Sequence, residues 1–383
     1  MDDQGTMQMK VMIAGGGTGG HLFPGIAVAE ELRRRHPEGG VVFVTTGKNL
    51  ESDSLKSRKL PALKIRSQGI KGKGIGKKIK AVLQLPLSLF DAMGVIRGFG
   101  PCLVFGVGGY VTGPVLLAAR CMGITTCIHE QNSVPGVTNK MLGRIANLVF
   151  LSIPGSEKFF AAEKVVMTGN PVRSELIEAA VEGKIFNRPT LLVLGGSQGA
   201  HRLNTLVLGA LEKLHNKLPA DIHIIHQTGV KDEKMVREAY GQLGLSAEVA
   251  SFFHDMAACY KNADLVVSRA GATTLAELTV MGKPSILIPF PFATDDHQSK
   301  NALFLVEAGA ARMVVEEEVT DIALGEEMIG LLEDGEMLQR MKEKATGLAR
   351  PEAVKDIVDA CEALLAGKRC GAKSVGMKRV ILP

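Results

Sequence analysis

The sequence has no tryptophan and three tyrosines, and aromatic residues make up 4% of it. Glycine, by contrast, reaches 44 residues, which favours glycine-turned α/β units over a β-sandwich. The six cysteines, at 102, 121, 127, 259, 361 and 370, form no CxxC pair and no grouping with histidine that resembles a zinc site. They read as reduced packing residues of a cytosolic protein. No uninterrupted apolar run is long enough to span a bilayer. The start, MDDQGTMQMK, is acidic and followed by a short, glycine-broken apolar run, so no cleaved secretion signal is expected. Acidic residues are missing between Asp53 and Asp91, where Lys56, Arg58, Lys59, Lys64, Arg66, Lys71, Lys73, Lys77, Lys78 and Lys80 fall, and again after Glu362. This uneven charge points to an anionic partner. The basic run has no interleaved aromatics, which argues against nucleic acid.

With 383 residues the chain is expected to form two domains. Lys10 to Ile13 reads as a buried strand leading into Gly15-Gly16-Gly17-Thr18-Gly19-Gly20-His21, followed by a helix over Ile26 to Arg34. The loop resembles a dinucleotide-binding fingerprint only superficially. The next strand, Val41 to Thr45, ends without the acidic residue that would hold an adenosine ribose, so NAD is discounted. Ile79 to Ile96 is expected as a helix kinked at Pro86, either in the core or, given its lysine neighbours, at an anionic bilayer surface. Leu103 to Val107 runs into a second glycine loop ending at Tyr110. Thr125 to Ile128 then delivers His129-Glu130-Gln131-Asn132 to the same sheet edge.

A polar helix is expected over Ile177 to Phe186. From Thr190 the strand, double-glycine loop and helix pattern restarts with Gly195-Gly196-Ser197-Gln198-Gly199-Ala200. Two Rossmann-like domains are therefore expected, residues 1–170 and 171–383, with ligands bound between them. A final helix, Glu352 to Leu365, is expected to pack back across the junction.

The chain is organised around Asp264 to Pro289, a strand, turn, helix, strand unit. The free amides of Gly271 to Thr274 and the positive end of the helix dipole face the cleft, and Glu277 lies one turn further in, where it can accept hydrogen bonds from paired sugar hydroxyls. Diphosphate and ribose are natural ligands of such a corner. The competing reading is an ordinary crossover with Glu277 in solvent.

Taken in order, GGGTGGH, GVGGY, HEQN, GNPVR, GGSQGA and AGATTLAE resemble the MurG family of bacterial cell-wall glycosyltransferases, over Lys10 to about Leu365. The resemblance implies a GT-B architecture and transfer of N-acetylglucosamine from UDP onto lipid-linked muramyl pentapeptide, lipid I to lipid II, at the cytoplasmic side of the inner membrane. It further implies that Glu277 grips the ribose, that Ser197 and Ala272, Thr273, Thr274 and Leu275 meet the diphosphate, that Gln198 and Ala276 also belong to the substrate-binding set, and that backbone beside Phe253 recognises uracil. Gln298 and His297 would touch the sugar hydroxyls, and Arg173 would reach in from the junction. Thr18, Gly19, Gly20 and Asn132 would close over the same sugar, with Tyr110 on the acceptor side. Partners implied are the two substrates, the anionic membrane surface and other cell-wall synthesis proteins.

No DxD motif is evident, and Asp295-Asp296 reads as a helix-entry cap, so neither metal nor cofactor is expected. His21 is the first candidate base, at an ordinary imidazole pKa, with a phosphate-binding or helix-capping role as its alternative. Glu130 is the second candidate, either as base, as orienter of His21, or as partner of a lysine. An epimerase or hydrolase, and a non-catalytic sugar-nucleotide sensor, are the rival classes.

Overall fold

A computed structural model gives the fold and describes residues 9–47, 49–67, 85–183, 185–196 and 199–369. The first sheet contains β1 (Lys10–Gly15), β2 (Gly40–Thr45), β3 (Ala62–Lys64), β4 (Leu103–Gly108), β5 (Thr125–Glu130), β6 (Leu148–Leu151) and β7 (Val165–Met167), in spatial order β3-β2-β1-β4-β5-β6-β7. The second contains β8 (Thr190–Leu194), β9 (His223–Gln227), β10 (Ser246–Ala250), β11 (Leu265–Ser268), β12 (Ser285–Leu287) and β13 (Ala311–Met313), ordered β10-β9-β8-β11-β12-β13. Every pairing in both is parallel. Parallel sheets need both faces covered, which is why the central strands read as unbroken apolar runs. Each sheet has an apolar core on either side. The fold is α/β with two Rossmann-like halves.

Strand order reverses between β1 and β4 in the first half and between β8 and β11 in the second. Ligands of such sheets bind beyond the carboxyl ends of the strands at this reversal. Those ends carry the glycine loops after β1 and β4, and the Gly195 loop with the Arg269–Gly271 turn. The final helix, Ala353–Arg369, buries Ile357, Val358, Cys361 and Leu365 in the core of the first half. Glu362 secures it by accepting from Arg35 at 3.2 Å and His36 at 2.8 Å.

Several expected elements differ. The first helix is Gly19–Arg35 and contains Pro24, so Gly20 and His21 belong to its first turn rather than to a loop. The described helix Leu85–Phe99 starts with Pro86 in its first turn, where a missing N–H is tolerated, so no kink forms there. Residues 79–84 and Lys71, Lys73, Lys77, Lys78 and Lys80 lie outside the described residues, as do residues 370–383. The expected polar helix stops at Ala179. Beyond it the amides of Ile185 and Phe186 donate instead to Asn262 Oδ1, at 3.1 and 3.0 Å. Finally, β5 runs on to Glu130, because Phe150 and Leu151 of β6 pair with His129 and Glu130.

Candidate active site

The site begins at the reversal point of the first sheet. Gly108 and Gly109 have φ of 99° and 87°, and a Cβ at Gly109 would lie 2.5 Å from the Gly16 carbonyl. Only glycine allows the two loops to approach so closely. The His21 ring lies over Gly108, where a Cβ would come within 2.6 Å of its Cδ2 and 2.9 Å of its Nε2. Its Nδ1 lies 3.3 Å from Thr18 Oγ1. Burial, then the nearby His297 of the other half, push the imidazole down to about 4, against a hydrogen bond to the Gly16 backbone that raises it. The expectation of an ordinary imidazole is thereby corrected. His21 is neutral at neutral pH and can accept a proton.

Glu130 is buried, and it contacts neither His21 nor a lysine among the described residues. Its Oε1 accepts from the Asn132 amide at 2.9 Å and Asn132 Nδ2 at 3.1 Å, and its Oε2 from Asn139 Nδ2 at 2.8 Å and the Gly136 amide at 3.3 Å. Burial raises its pKa despite these bonds. The geometry makes Glu130 a loop staple. Beneath it, His129 is fully buried and donates from Nε2 to the Gly169 carbonyl at 3.2 Å, while Gln131 Nε2 reaches its Nδ1 at 3.1 Å. This ties the first sheet to the linker between the halves.

Across the cleft the Ala272–Val280 helix starts at Gly271 with no side-chain cap and no acidic residue in its first turn. Gly271, Thr273 and Thr274 are half-buried, so this corner is not sealed inside the interior. Pro24 cannot donate to the Gly20 carbonyl four residues back. That carbonyl instead accepts from Thr273 Oγ1 at 3.0 Å, which also accepts from Asn170 Nδ2 at 3.4 Å. A helix break in one half thus supplies a latch point for the other.

Glu277 is 8% exposed. Its Oε1 pairs with Arg173 Nη2 at 3.1 Å, and its Oε2 accepts from Tyr260 OH at 3.0 Å. The Arg173 guanidinium lies 4.9 Å over the Phe23 ring, and its Nε is buried without a partner. Each carboxylate oxygen can accept a second bond. Leu275 is buried and Ala276 half-buried on the same helix. The Phe253 amide is taken by Gln227 Oε1 at 3.0 Å, and Gln298 Oε1 accepts from the Phe290 amide at 2.9 Å. His297 Nδ1 donates to the Thr294 carbonyl at 2.7 Å. Asp296 occupies the position before the Gly-free helix His297–Glu307 but at φ 52° and with no side-chain cap bond, so the capping expectation fails. Tyr110 is half-exposed on its loop. Ser197 and Gln198 lie outside the described residues.

Asn301 escaped the sequence reading. It is fully buried between the halves, its Oδ1 accepting from the Ser133 amide at 2.9 Å and its Nδ2 donating to Asn132 Oδ1 at 3.1 Å and the Ala270 carbonyl at 3.3 Å. One amide therefore joins the HEQN loop to the turn before the Ala272–Val280 helix. A polar residue on the inward stripe with Ala302 and Leu305 was the available signal.

The model of the glycosyltransferase family 28 N-terminal domain matches residues 11–151, and that of the C-terminal domain matches residues 190–359. The chain is 48% identical to a UDP-N-acetylglucosamine–N-acetylmuramyl-(pentapeptide) pyrophosphoryl-undecaprenol N-acetylglucosamine transferase of Myxococcus xanthus, covering 93% of each chain. It is 46% identical to the enzyme of the same name in Syntrophus aciditrophicus, over 94% of this chain and 99% of that one. Among solved structures, Acinetobacter baumannii MurG superposes with a TM-score of 0.73 at 33% identity, over 93% and 99% of the two chains. A Listeria monocytogenes structure titled as a putative UDP-N-acetylglucosamine 2-epimerase shares the fold, with a TM-score of 0.69 at 15% identity and 94% and 98% coverage.

Proposed function

Since the chain belongs to glycosyltransferase family 28 and to its MurG branch, we propose that it transfers N-acetylglucosamine, with inversion, from UDP-N-acetylglucosamine to the C4 hydroxyl of lipid-linked N-acetylmuramyl pentapeptide. The observation that carries this reading is the uncapped, reachable start of the Ala272–Val280 helix at the second reversal point, with Glu277 one turn on and a neutral His21 opposite.

In this mechanism the donor diphosphate lies against the amides of Ala272 to Thr274, and the ribose hydroxyls donate to Glu277. Arg173, already beside Glu277, brings its charge to the departing phosphate, and its unpartnered Nε is consistent with an acceptor that arrives with the ligand. His21 takes the proton of the attacking hydroxyl from the acceptor side, where its Nε2 edge faces Gly108 and the loop to Tyr110. Glu130 acts through Asn132, holding the loop that meets Asn301. With amides and Arg173 neutralising the leaving group, the chemical step needs no metal, and turnover with a soluble lipid I analogue is expected to survive chelators. Transfer of labelled N-acetylglucosamine to that analogue tests the whole reading. Donor consumption that ignores the acceptor would instead mark an epimerase or hydrolase.

The acceptor's polyprenyl anchor requires a membrane-facing surface, which we place on the first half. Helices Leu85–Phe99, Thr112–Cys121 and Val137–Ile145 pack side by side on one face of the first sheet. They expose Leu87, Phe90, Leu117, Val137 and Met141, together with Arg97, Arg120 and Arg144. Asp91 is the single acid in these helices, and it is paired with Arg66 at 2.7 Å. An apolar face with an arginine in the last turn of each helix suits the surface of an anionic leaflet. No described helix is long and apolar enough to cross a membrane. The reading therefore places the enzyme peripherally on the cytoplasmic side, where other cell-wall synthesis proteins would be its neighbours.

A further inference from the structure

A cavity of about 160 Å3 lies behind the candidate diphosphate corner, on the reverse side of the Ala272–Val280 helix. The helix lines it with Ala272, Leu275, Ala276, Thr279 and Val280. Those positions are spaced by three and four and form one stripe, so Thr273, Thr274 and Glu277 point elsewhere. Phe304 and Leu348 extend the wall from the second half, and Ile153, Met167 and Asn170 close it from the first.

Among the polar residues of this lining, the Ser152 and Thr279 hydroxyls are bonded to His129 and the Ala276 carbonyl, and Asn170 and Arg350 are the two that offer a group to a guest. Asn170 is 4% exposed, and with its Nδ2 committed to Thr273, its Oδ1 is buried without a partner. At the rim, exposed Arg350 makes no ion pair within 4 Å and no side-chain hydrogen bond with any described residue, its charge acting only at longer range on Asp356. The base of its side chain packs on the linker at Gly169, where a Cβ would lie 2.5 Å from Arg350 Cβ and 2.8 Å from its Cγ, which roots the side chain beside the opening.

We propose that this cavity is a binding site for a small apolar carboxylate of about one aromatic ring, carrying one hydrogen-bond donor. Apolar cavities of about 150 Å3 accept a benzene-sized guest. A donor on the guest satisfies the buried Asn170 Oδ1, which otherwise stays costly to keep unpaired. The carboxylate meets Arg350 at the rim, where guanidinium and carboxylate form charge-assisted hydrogen bonds. The walls come from both halves, so the guest bridges them without entering the nucleotide cleft.

The test uses the full chain and three probes, 4-hydroxybenzoate, benzoate without the donor, and phenol without the carboxylate, titrated by calorimetry and ligand-observed NMR. One saturable site is expected for 4-hydroxybenzoate, with weaker binding of the other two. Arg350→Ala weakens it about two- to fivefold, the range of a partly exposed ion pair. Val280→Phe fills the cavity and abolishes binding, and Leu348→Phe repeats the result should Val280→Phe fail to fold. Saturating UDP leaves the probe bound. The proposal is overturned by absence of a saturable site, by binding that survives the cavity-filling variant, or by displacement with UDP, which would put the probe in the nucleotide cleft. Because UDP uptake is read separately, failure of the nucleotide reading leaves this result intact.

Discussion

If His21 is the base, the acid limb of kcat/KM should lie far below the usual histidine range. That parameter reports ionisations of the free enzyme. An ordinary imidazole, of pKa about 6.5, is only about one-tenth neutral at pH 5.5. His21, held at about 4 by burial and by His297, stays almost wholly neutral there. Between pH 7.5 and 5.5 the rate through His21 should therefore change by less than about 1.2-fold, against roughly tenfold for an unperturbed base. The assay is initial-rate transfer of labelled sugar to a soluble lipid I analogue in buffers of constant ionic strength, with folding checked at each pH. His297→Gln, which removes the second cause of the depression, should move the limb upward without abolishing it. An inflection between pH 6 and 7 in the unaltered enzyme would refute the reasoning, as would an unchanged profile in His21→Ala with rate retained.

Further consequences concern stability, the loops and the surface. His226 is buried between Tyr240 OH at 2.8 Å and Asn204 Oδ1 at 3.1 Å, and burial lowers its pKa to about 3. The unfolded chain takes up that proton near pH 6.5 while the folded chain does not, so this contribution is full above 6.5 and is lost as pH falls toward 3. By pH 4.5 the loss is about 2–3 kcal/mol, and denaturant unfolding of His226→Gln should show a correspondingly flatter acid decline. Gly108→Ala places a methyl against the His21 ring at a positive φ, and should lower kcat by tenfold or more with UDP affinity retained. Pro24→Ala restores an N–H that competes for the Gly20 carbonyl, and should weaken the Thr273 latch, seen as faster hydrogen exchange at the start of the Ala272–Val280 helix. Leu87→Ser with Phe90→Ser should reduce sedimentation with anionic vesicles while leaving turnover of a soluble acceptor analogue unchanged.

What the sequence made legible was local. β1 and β4 are apolar runs ending in glycine, β8 runs straight into Gly195 and β11 reaches Gly271 three residues on, and both the strand positions and the restart at Thr190 follow from that pattern. The meeting of the loops after β1 and β4 was not legible, because it depends on strand order, which adjacent residues do not encode. His129 and Glu130 looked like loop residues for their polarity, yet β6 pairing buries them and their hydrogen bonds make burial tolerable. Asn301 shows the same limit, since its partners Asn132 and Ser133 lie in the other half of the chain. The first helix is expected from Ile26, yet it starts at Gly19 and takes in Pro24, because the carbonyl that proline leaves free is satisfied by Thr273, a compensation only the tertiary structure reveals.

Titration of UDP into the unaltered protein and into Glu277→Gln probes the nucleotide corner most directly. One saturable site is predicted for the first, weakened about tenfold to a hundredfold in the second, the scale of losing a charge-assisted hydrogen bond to the ribose. No uptake by the unaltered chain, or equal affinity in the two proteins, would contradict the account.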